Sequence, residues 1–224
     1  MLQIIQNGSE VPPGSITGHL ATPHIIHHPY CDGLLPKLVD ISALIVLGGA
    51  MGAHDDSKYP FLSDLKSLIK TVVESKIPYL GICLGGQLLA ASMGAKVESC
   101  RWEEFGHYSA SLTAQGADDR LFKGIANEFD VFQWHHDSFD IPPDAVLLAS
   151  SALCPHQAFR IGASAWGVQF HPEVTEDIIR CWSAWNKSTS GRVEELVTEF
   201  EVRSESYRAT VGQMIGNFLS TVKL

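Results

Sequence analysis

The chain has 224 residues, of which 45% are apolar and 18% charged, a balance typical of a folded globular protein rather than a disordered one. Sixteen basic and 25 acidic residues give a formal net charge of −9 without a basic cluster, which argues against a nucleic-acid partner. The length is sufficient for one large domain. We expect a single domain over residues 1–224, with a helical extension over about 175–224.

The cysteine pattern and the amino terminus indicate where the protein works. Five scattered cysteines form no Cys-x-x-Cys pair, so the sequence predicts neither a disulfide framework nor a zinc knuckle. The first residues lack the basic and long apolar regions of a secretion signal, and no stretch approaches the roughly 20 apolar residues of a membrane-spanning helix. We therefore expect a cytoplasmic protein with no membrane partner.

The first half of the chain alternates strand and helix patterns. Short apolar runs predict strands at Leu2–Gln6, His24–His28, Ile41–Leu47 and Ile77–Ile82. Helical spacing predicts a short helix at Ser15–Ala21, a long one at Phe61–Glu74 and another from Leu84 onward. This alternation of strands and helices is typical of an α/β fold with a doubly wound, flavodoxin-like sheet. In such a sheet, ligands bind beyond the carboxyl ends of the strands. The glycine-rich segments after the third and fourth strands should therefore meet at one site.

The histidine-rich second strand invites a metal interpretation. His24, His27 and His28 have no acidic or cysteine side chain nearby at ligand spacing except Asp32. We interpret this strand as an edge strand or surface loop, and we expect no metal.

The pattern changes to short alternating runs after about residue 95. These runs predict strands at His107–Thr113, Phe129–Trp134, Ala145–Ser150, Gln157–Ile161 and Trp166–Phe170. We expect them to extend the sheet into a mixed sheet and to add a small β layer. Beyond them, apolar spacing predicts helices over Thr175–Trp185, Val193–Phe200 and Tyr207–Val222, with a loop at Ser188–Gly191. Apolar stripes of this kind usually pack on their own domain.

The segment Gly81-Ile82-Cys83-Leu84-Gly85 has the spacing of a nucleophile elbow, with sulfur in place of a serine oxygen. Cys83 would lie in a sharp turn between a strand and a helix, where glycines let neighbouring segments pass closely. The positive end of the following helix favours a thiolate there. The alternative is a buried, inert cysteine beside a glycine-rich turn. The residues that accompany Cys83 must decide between a nucleophile and an inert cysteine.

A second motif, Gln169-Phe170-His171-Pro172-Glu173, ends the last predicted strand. In extended chain His171 and Glu173 face the same side, and Pro172 keeps His171 out of the helical region. Glu173 can then hold one ring nitrogen of His171 while the other faces a nucleophile, which is the logic of a catalytic triad. Taken alone, the motif is equally compatible with an ordinary salt bridge.

Together these motifs resemble the class I (triad) glutamine amidotransferase domains. The resemblance rests on Gly48-Gly49, on Gly-x-Cys-x-Gly-x-Gln from Gly81 to Gln87, and on Gln169–Glu173, with His171 88 residues after Cys83. It runs from about Leu2 to Val174 and includes Arg101–Gly106 and Trp134–Asp137. The chain looks most like stand-alone members similar to the amidase domain of GMP synthase.

The resemblance implies a role for each matching residue. Cys83 would attack the side-chain amide of glutamine and form a γ-glutamyl thioester, His171 would shuttle protons, and Glu173 would orient His171. The backbone N–H groups of Gly49 and Leu84 would form the oxyanion hole. The glutamine-holding positions would be Gln87, Gly106 and His135. No cofactor is implied.

Two positions depart from the family pattern, and several interpretations of the function stay open. Ala50 stands where the family often has proline, and His136 stands where it usually has glycine. The sequence shows no P-loop and no room for a synthetase after Glu173, so we expect a free-standing glutaminase-type amidohydrolase. A γ-glutamyl peptide or isopeptide hydrolase, a non-catalytic binding or stress-response module, and an ammonia-donating subunit with a separate synthetase partner are the alternatives.

Overall fold

The computed structural model describes residues 1–186 and 189–222. The strands within these residues are β1 (Leu2–Ile5), β2 (His24–His27), β3 (Ala43–Val46), β4 (Tyr79–Ile82), β5 (Val97–Glu98), β6 (Glu104–Leu112), β7 (Glu128–His135), β8 (Ser138–Phe139), β9 (Val146–Ser150), β10 (Ala158–Ile161) and β11 (Ala165–Val168). The α-helices are α1 (Pro29–Asp32), α2 (Phe61–Glu74), α3 (Leu84–Ser92), α4 (Ala114–Ala117), α5 (Glu176–Trp185) and α6 (Val193–Ser220). Short 3₁₀ turns occupy Gly14–His19, Leu38–Asp40 and Ser190–Arg192.

Nine strands form one sheet in the order β2-β1-β3-β4-β11-β10-β9-β6-β7. The first five of these strands are parallel, and the last four run antiparallel to their neighbours. The short strands β5 and β8 form a separate antiparallel pair. The order of the parallel half is that of a flavodoxin-like sheet. The predicted doubly wound mixed sheet with a small additional β layer is therefore confirmed.

Helices cover both faces of the sheet. On one face α2 and α3 bury residues such as Leu65 and Leu88 against β3 and β4. On the other face α5 buries Trp182 against β7, and α6 buries Phe218 against Trp166 of β11. Strands enclosed on both faces need apolar side chains in both directions, which explains the continuous apolar run from Ala43 to Val46. No helix among the described residues has the length and apolar character needed to cross a membrane.

Most predicted elements lie within one or two residues of the observed ones, and α2 coincides with its prediction. The short helix predicted at Ser15–Ala21 is the 3₁₀ turn Gly14–His19. The loop predicted at Ser188–Gly191 begins outside the described residues, and its end is part of the turn Ser190–Arg192.

The prediction of two separate carboxy-terminal helices is wrong. The helices expected at Val193–Phe200 and Tyr207–Val222 are one continuous helix, α6. The intervening residues 201–206 are mostly polar and none of them is buried, so they carry no apolar stripe. They contain neither glycine nor proline, so nothing ends the helix there.

Candidate active site

Three adjacent parallel strands bring the predicted site residues to one edge of the sheet. β3 lies beside β4, and β4 lies beside β11, with Ile82 opposite Val168. The carboxyl ends of parallel strands meet at the same edge. Gly48, Cys83 and His171, which follow these three strands, are therefore neighbours in space although far apart in the chain.

Cys83 occupies a strained turn between β4 and α3. Its φ of 49° and ψ of −107° are unusual for a residue with a side chain, and its backbone N–H donates to the carbonyl of Val168 at 2.8 Å. A Cβ at Gly85 would lie 2.1 Å from the carbonyl oxygen of Val46, and one at Gly81 would lie 2.4 Å from the carbonyl group of Gly85. The turn thus needs glycine at both positions, because the start of α3 passes too close to β3 and to β4 for a side chain.

The sulfur of Cys83 has a polar neighbour from the histidine strand. Nε2 of Gln169, a buried residue, donates to Sγ of Cys83 at 3.5 Å. The sequence motif contains Gln169, but its spacing assigned no role to this residue. The contact places an amide donor beside the sulfur, where it stabilises negative charge.

His171 and Glu173 form a buried pair beside the cysteine. Nδ1 of His171 donates to Oε1 of Glu173 at 2.6 Å. Burial alone lowers the pKa of His171, but the Glu173 carboxylate and the Cys83 sulfur outweigh it and raise the pKa to about 10. Nε2 of His171 is buried, and within the described residues it has no hydrogen-bond partner of standard geometry. This nitrogen is therefore available to a reacting group.

Gly48 is the point at which the histidine and the cysteine come together. A Cβ at Gly48 would lie 3.1 Å from Cε1 of His171 and 3.6 Å from Cβ of Cys83. The backbone of this loop therefore fits between the two side chains only because it lacks a side chain of its own.

The loop after β3 also brings Gly49 beside the start of α3. A Cβ at Gly49 would lie 2.9 Å from Cδ2 of Leu84 and 3.1 Å from Cβ of Asn7. Asn7 is buried, and its Nδ2 donates to the carbonyl of Leu47 at 2.7 Å, which fixes the loop. Leu84 is the first residue of α3, so its N–H has no partner within the helix. The two predicted oxyanion donors are thus neighbours, and their role stays a prediction.

The predicted glutamine-holding residues are divided between the cavity and the core. Gln87 lines the cavity, and its Nε2 donates to the carbonyl of Asp137 at 3.0 Å. His135 also lines the cavity, but both its ring nitrogens already contact protein acceptors. Gly106 has a φ of 106°, and a Cβ there would lie 2.9 Å from Leu196 of α6. The neighbouring Phe105, rather than Gly106, lines the cavity.

A buried polar network behind the cavity was not predicted. The Glu104 side chain is inaccessible to solvent and accepts hydrogen bonds from His135 at 3.0 Å, Gln157 at 2.6 Å and Ser151 at 2.6 Å. Gln133 extends the network by donating to Gln157 at 2.7 Å. The network anchors the wall that carries His135, because three of its four donors bond one buried carboxylate.

The helical extension supplies one wall of the site. The ring of Trp182 on α5 meets the ring of His171 edge to face at 4.7 Å, and its Nε1 donates to the carbonyl of Glu10 at 2.8 Å. The cavity has a volume of about 730 Å³, and both Cys83 and His171 line it. Its other walls are lined by Met51, Phe105, Trp134, Asp137 and Trp185, among others. Of the predicted triad, Cys83 and His171 therefore meet at one cavity, and the buried Glu173 contacts the imidazole without lining the cavity.

Comparison with known proteins agrees with this geometry. Residues 24–178 match the family model described as glutamine amidotransferase class-I. The chain belongs to the class I glutamine amidotransferases.

Relatives of this amidotransferase include GMP synthases. It is 32% identical over 198 residues to the glutamine-hydrolysing GMP synthase of Thermomicrobium roseum, a match covering 79% of this chain and 35% of that protein. It is 30% identical over 151 residues to the glutamine amidotransferase-like protein YfeJ of Salmonella typhimurium, covering 66% and 63% of the two chains. The chain thus spans about a third of the GMP synthase and under two thirds of YfeJ.

Solved structures match the amidotransferase over nearly its whole length. The crystal structure of a glutamine amidotransferase from Thermotoga maritima has a TM-score of 0.88 at 28% identity and covers 98% of both chains. That of a glutamine amidotransferase from Methylobacillus flagellatus also has a TM-score of 0.88, at 27% identity, covering 99% of this chain and 95% of the other.

Proposed function

We propose that this amidotransferase hydrolyses the side-chain amide of glutamine to glutamate and ammonia through a γ-glutamyl thioester on Cys83. The observation that carries the proposal is the meeting of Cys83 with the buried His171–Glu173 pair in one cavity. A sulfur nucleophile, a proton carrier and an orienting carboxylate are the parts that amide hydrolysis by covalent catalysis requires.

The first half of the reaction forms the thioester. The sulfur of Cys83 attacks the amide carbon, and the carbonyl oxygen becomes an oxyanion held by the N–H groups of Gly49 and Leu84. As the C–N bond breaks, His171 gives its proton to the leaving nitrogen, and ammonia departs. A raised pKa favours this step, because His171 then carries the proton at neutral pH.

The second half regenerates the cysteine. With its proton gone, His171 takes one from a water molecule, and the water oxygen attacks the thioester carbon. The C–S bond breaks, glutamate leaves, and the proton on His171 restores the starting pair with Cys83. Glu173 keeps Nδ1 of His171 protonated and the ring oriented throughout, so that Nε2 always faces the reacting atoms.

The charge of the cavity suits the amino-acid end of the donor. Glu10, Asp55 and Asp137 line it, and its described lining includes no lysine or arginine. These carboxylates attract the α-ammonium group of glutamine.

A labelling experiment tests the proposal. A diazoketone analogue of glutamine should add one mass adduct per chain to the wild type, map to Cys83, and be absent from Cys83→Ala. Cys181→Ser, which removes an exposed cysteine, is the matched control and should label normally. Released glutamate and ammonia are measured in parallel. Labelling of a different residue, or glutamine turnover by Cys83→Ala, would refute the proposal, and absence of both labelling and turnover would favour the non-catalytic module.

The size and lining of the cavity favour a second candidate, a γ-glutamyl peptide or isopeptide hydrolase with the same three residues. A volume of about 730 Å³ exceeds the needs of one small amino acid, and Trp134, Trp182 and Trp185 offer aromatic surface for a larger leaving group. Comparing kcat/KM for glutamine with that for γ-glutamyl anilides and γ-glutamyl peptides separates the two candidates. Turnover of the amides without turnover of glutamine selects the hydrolase.

A further proposal keeps the same glutamine hydrolysis and adds a synthetase as the partner that receives the ammonia. One structural neighbour, at a TM-score of 0.60 and 26% identity, is described as a GMP synthase subunit from Thermoplasma acidophilum. A protein of this kind would pass ammonia to a separate synthetase instead of releasing it. Glutamine hydrolysis that rises when a candidate synthetase and its substrates are added would support this partnership.

A further inference from the structure

The mouth of the cavity carries a cluster of three side chains of metal-binding type. Sγ of Cys100, a carboxylate oxygen of Glu103 and a ring nitrogen of His136 all lie within 4.8 Å of one another. No second group of three such ligands occurs in the ranges 1–186 and 189–222. Cys100 and His136 also line the cavity that contains Cys83.

The pairing of β6 with β7 holds two of the three side chains in place. Glu104 lies opposite His135 in this antiparallel ladder, so Glu103 and His136 occupy the next pair of positions beyond it. Nδ1 of His136 donates to Oε1 of Glu103 at 2.8 Å, and the ring of Phe105 meets the His136 ring edge to face at 4.8 Å. The imidazole and the carboxylate are therefore oriented before any ligand arrives.

Cys100 reaches the same point from the loop between β5 and β6. Its backbone is in the left-handed region, with a φ of 55°, and its side chain is exposed. Its sulfur lies within 4.8 Å of the Glu103 carboxylate, which also accepts the hydrogen bond from His136. Two segments that are separate in sequence thus converge on one carboxylate.

We propose that Cys100, Glu103 and His136 bind a Zn²⁺ ion at the mouth of the cavity. Sulfur, nitrogen and oxygen ligands together are the set that zinc takes in proteins. Bond lengths of about 2.0–2.3 Å in a tetrahedron place ligand atoms about 3.3–3.8 Å apart, so the side chains need only small movements. The thiol proton passes to solvent, and the His136 proton moves from Nδ1 to Nε2, leaving Nδ1 to bind the metal. A water molecule completes the fourth position.

The proposed site is independent of the amidohydrolase activity and is tested without it. Because Cys83 and His171 could themselves bind zinc, the experiment uses Cys83→Ala as the parent protein. Zinc titration against a chromogenic chelator should give one bound ion per chain. Cys100→Ser and His136→Gly should each weaken binding at least about tenfold. Cys31→Ser should leave it unchanged, since Cys31 follows β2 at the opposite edge of the sheet.

A cobalt titration identifies the ligand directly. Co²⁺ added to Cys83→Ala should show a thiolate-to-metal charge-transfer band, and the band should be absent when Cys100→Ser is added to that background. Circular dichroism spectra check that each variant is folded. Glu103→Gln provides a third ligand variant, at a side chain that is exposed to solvent. Failure to bind one equivalent of zinc, or binding that survives Cys100→Ser, would overturn the proposal.

Discussion

Nδ1 of His171 lies 2.6 Å from Oε1 of Glu173, and both side chains are buried. The residue between them is Pro172, so the chain stays extended and the two side chains share one side. Buried charge is costly unless it is paired, and here the pair is what keeps the imidazole protonated. The chemistry of His171 is therefore set largely by a neighbour two positions away.

Replacing Glu173 with glutamine should change both the rate and its pH dependence. Glu173→Gln removes an interaction that raises the pKa of His171, so the pKa falls and the proton is lost at lower pH. We expect kcat/KM to drop about 10²–10⁴-fold and the alkaline limb of the activity profile to move to lower pH. Initial rates of ammonia release between pH 5 and pH 11 measure both effects. An unchanged alkaline limb would contradict the assignment of Glu173.

The same pair should make stability depend on pH. A pKa raised from 6.5 to about 10 in the folded state adds stability that is fully present below pH 6.5 and lost as the pH rises through about 10. Urea unfolding of the wild type should therefore show a decline in the free energy of unfolding across this window. In His171→Gln that contribution is missing, and the decline should be smaller; equal declines would show that other groups cause it.

Adding one methyl group at Gly48 should harm catalysis more than folding. In Gly48→Ala the new Cβ lies 3.1 Å from Cε1 of His171, so the ring must shift away from its position beside Cys83. Misplacing a catalytic group by about 1 Å typically costs about 10²-fold. Because the ring needs to move by only a few tenths of an ångström, we expect a measurable loss in kcat of at most about 10²-fold. Gly18→Ala is the control, because nothing lies within 4 Å of its Cβ, and its activity should match the wild type. Wild-type kcat in Gly48→Ala would show that the ring does not depend on this contact.

The elbow glycines should be needed for stability. In Gly85→Ala the added Cβ would lie 2.1 Å from the backbone oxygen of Val46, and β3 cannot retreat from a sheet with neighbours on both sides. We expect a loss of at least about 1–3 kcal/mol in the free energy of unfolding. The helical control Gly216→Ala, with open space around its Cβ, should gain about 0.5–1 kcal/mol. Denaturant melts of the two variants should shift in opposite directions.

The adjacent residues Glu103 and Glu104 should differ sharply in their contribution to the stability of the fold. Glu104→Ala leaves the donors on His135, Ser151 and Gln157 without their buried acceptor, and we expect a loss of about 3–5 kcal/mol. Glu103→Ala removes only an exposed ion pair with His136, so stability should hardly change. Thermal melts followed by circular dichroism compare the two. Similar losses in both variants would mean that the network around Glu104 is not essential.

Sequence reasoning succeeded where one strand or one turn carries the information. The elbow at Cys83 and the His171–Glu173 pair are local patterns with a steric cause, so both could be recognised before their surroundings were known. A small β layer was expected, but its two-residue strands β5 and β8 are too short to show a period, and their positions were not predicted. The continuity of α6 was missed because its polar middle has no apolar stripe.

Supporting residues from distant segments escaped prediction for a different reason. Asn7 fixes the loop after β3, Trp182 packs on His171, and Glu104 anchors His135, yet none lies in a motif whose spacing reveals its target. The group of Cys100, Glu103 and His136 was likewise invisible, since its members come from two loops that only the β6–β7 pairing brings together. Contacts of this type become evident only with the topology of the sheet.

The place of β11 beside β4 also has a consequence for biosynthesis. The carbonyl that receives the Cys83 N–H belongs to Val168, a residue that the ribosome adds long after the elbow itself. Between the two lie the four antiparallel strands of the nine-stranded sheet, whose non-local pairings form slowly. A nascent chain that stops short of Val168 has a cysteine but no completed elbow, so the Cys83 turn is assembled only after most of the sheet has been translated.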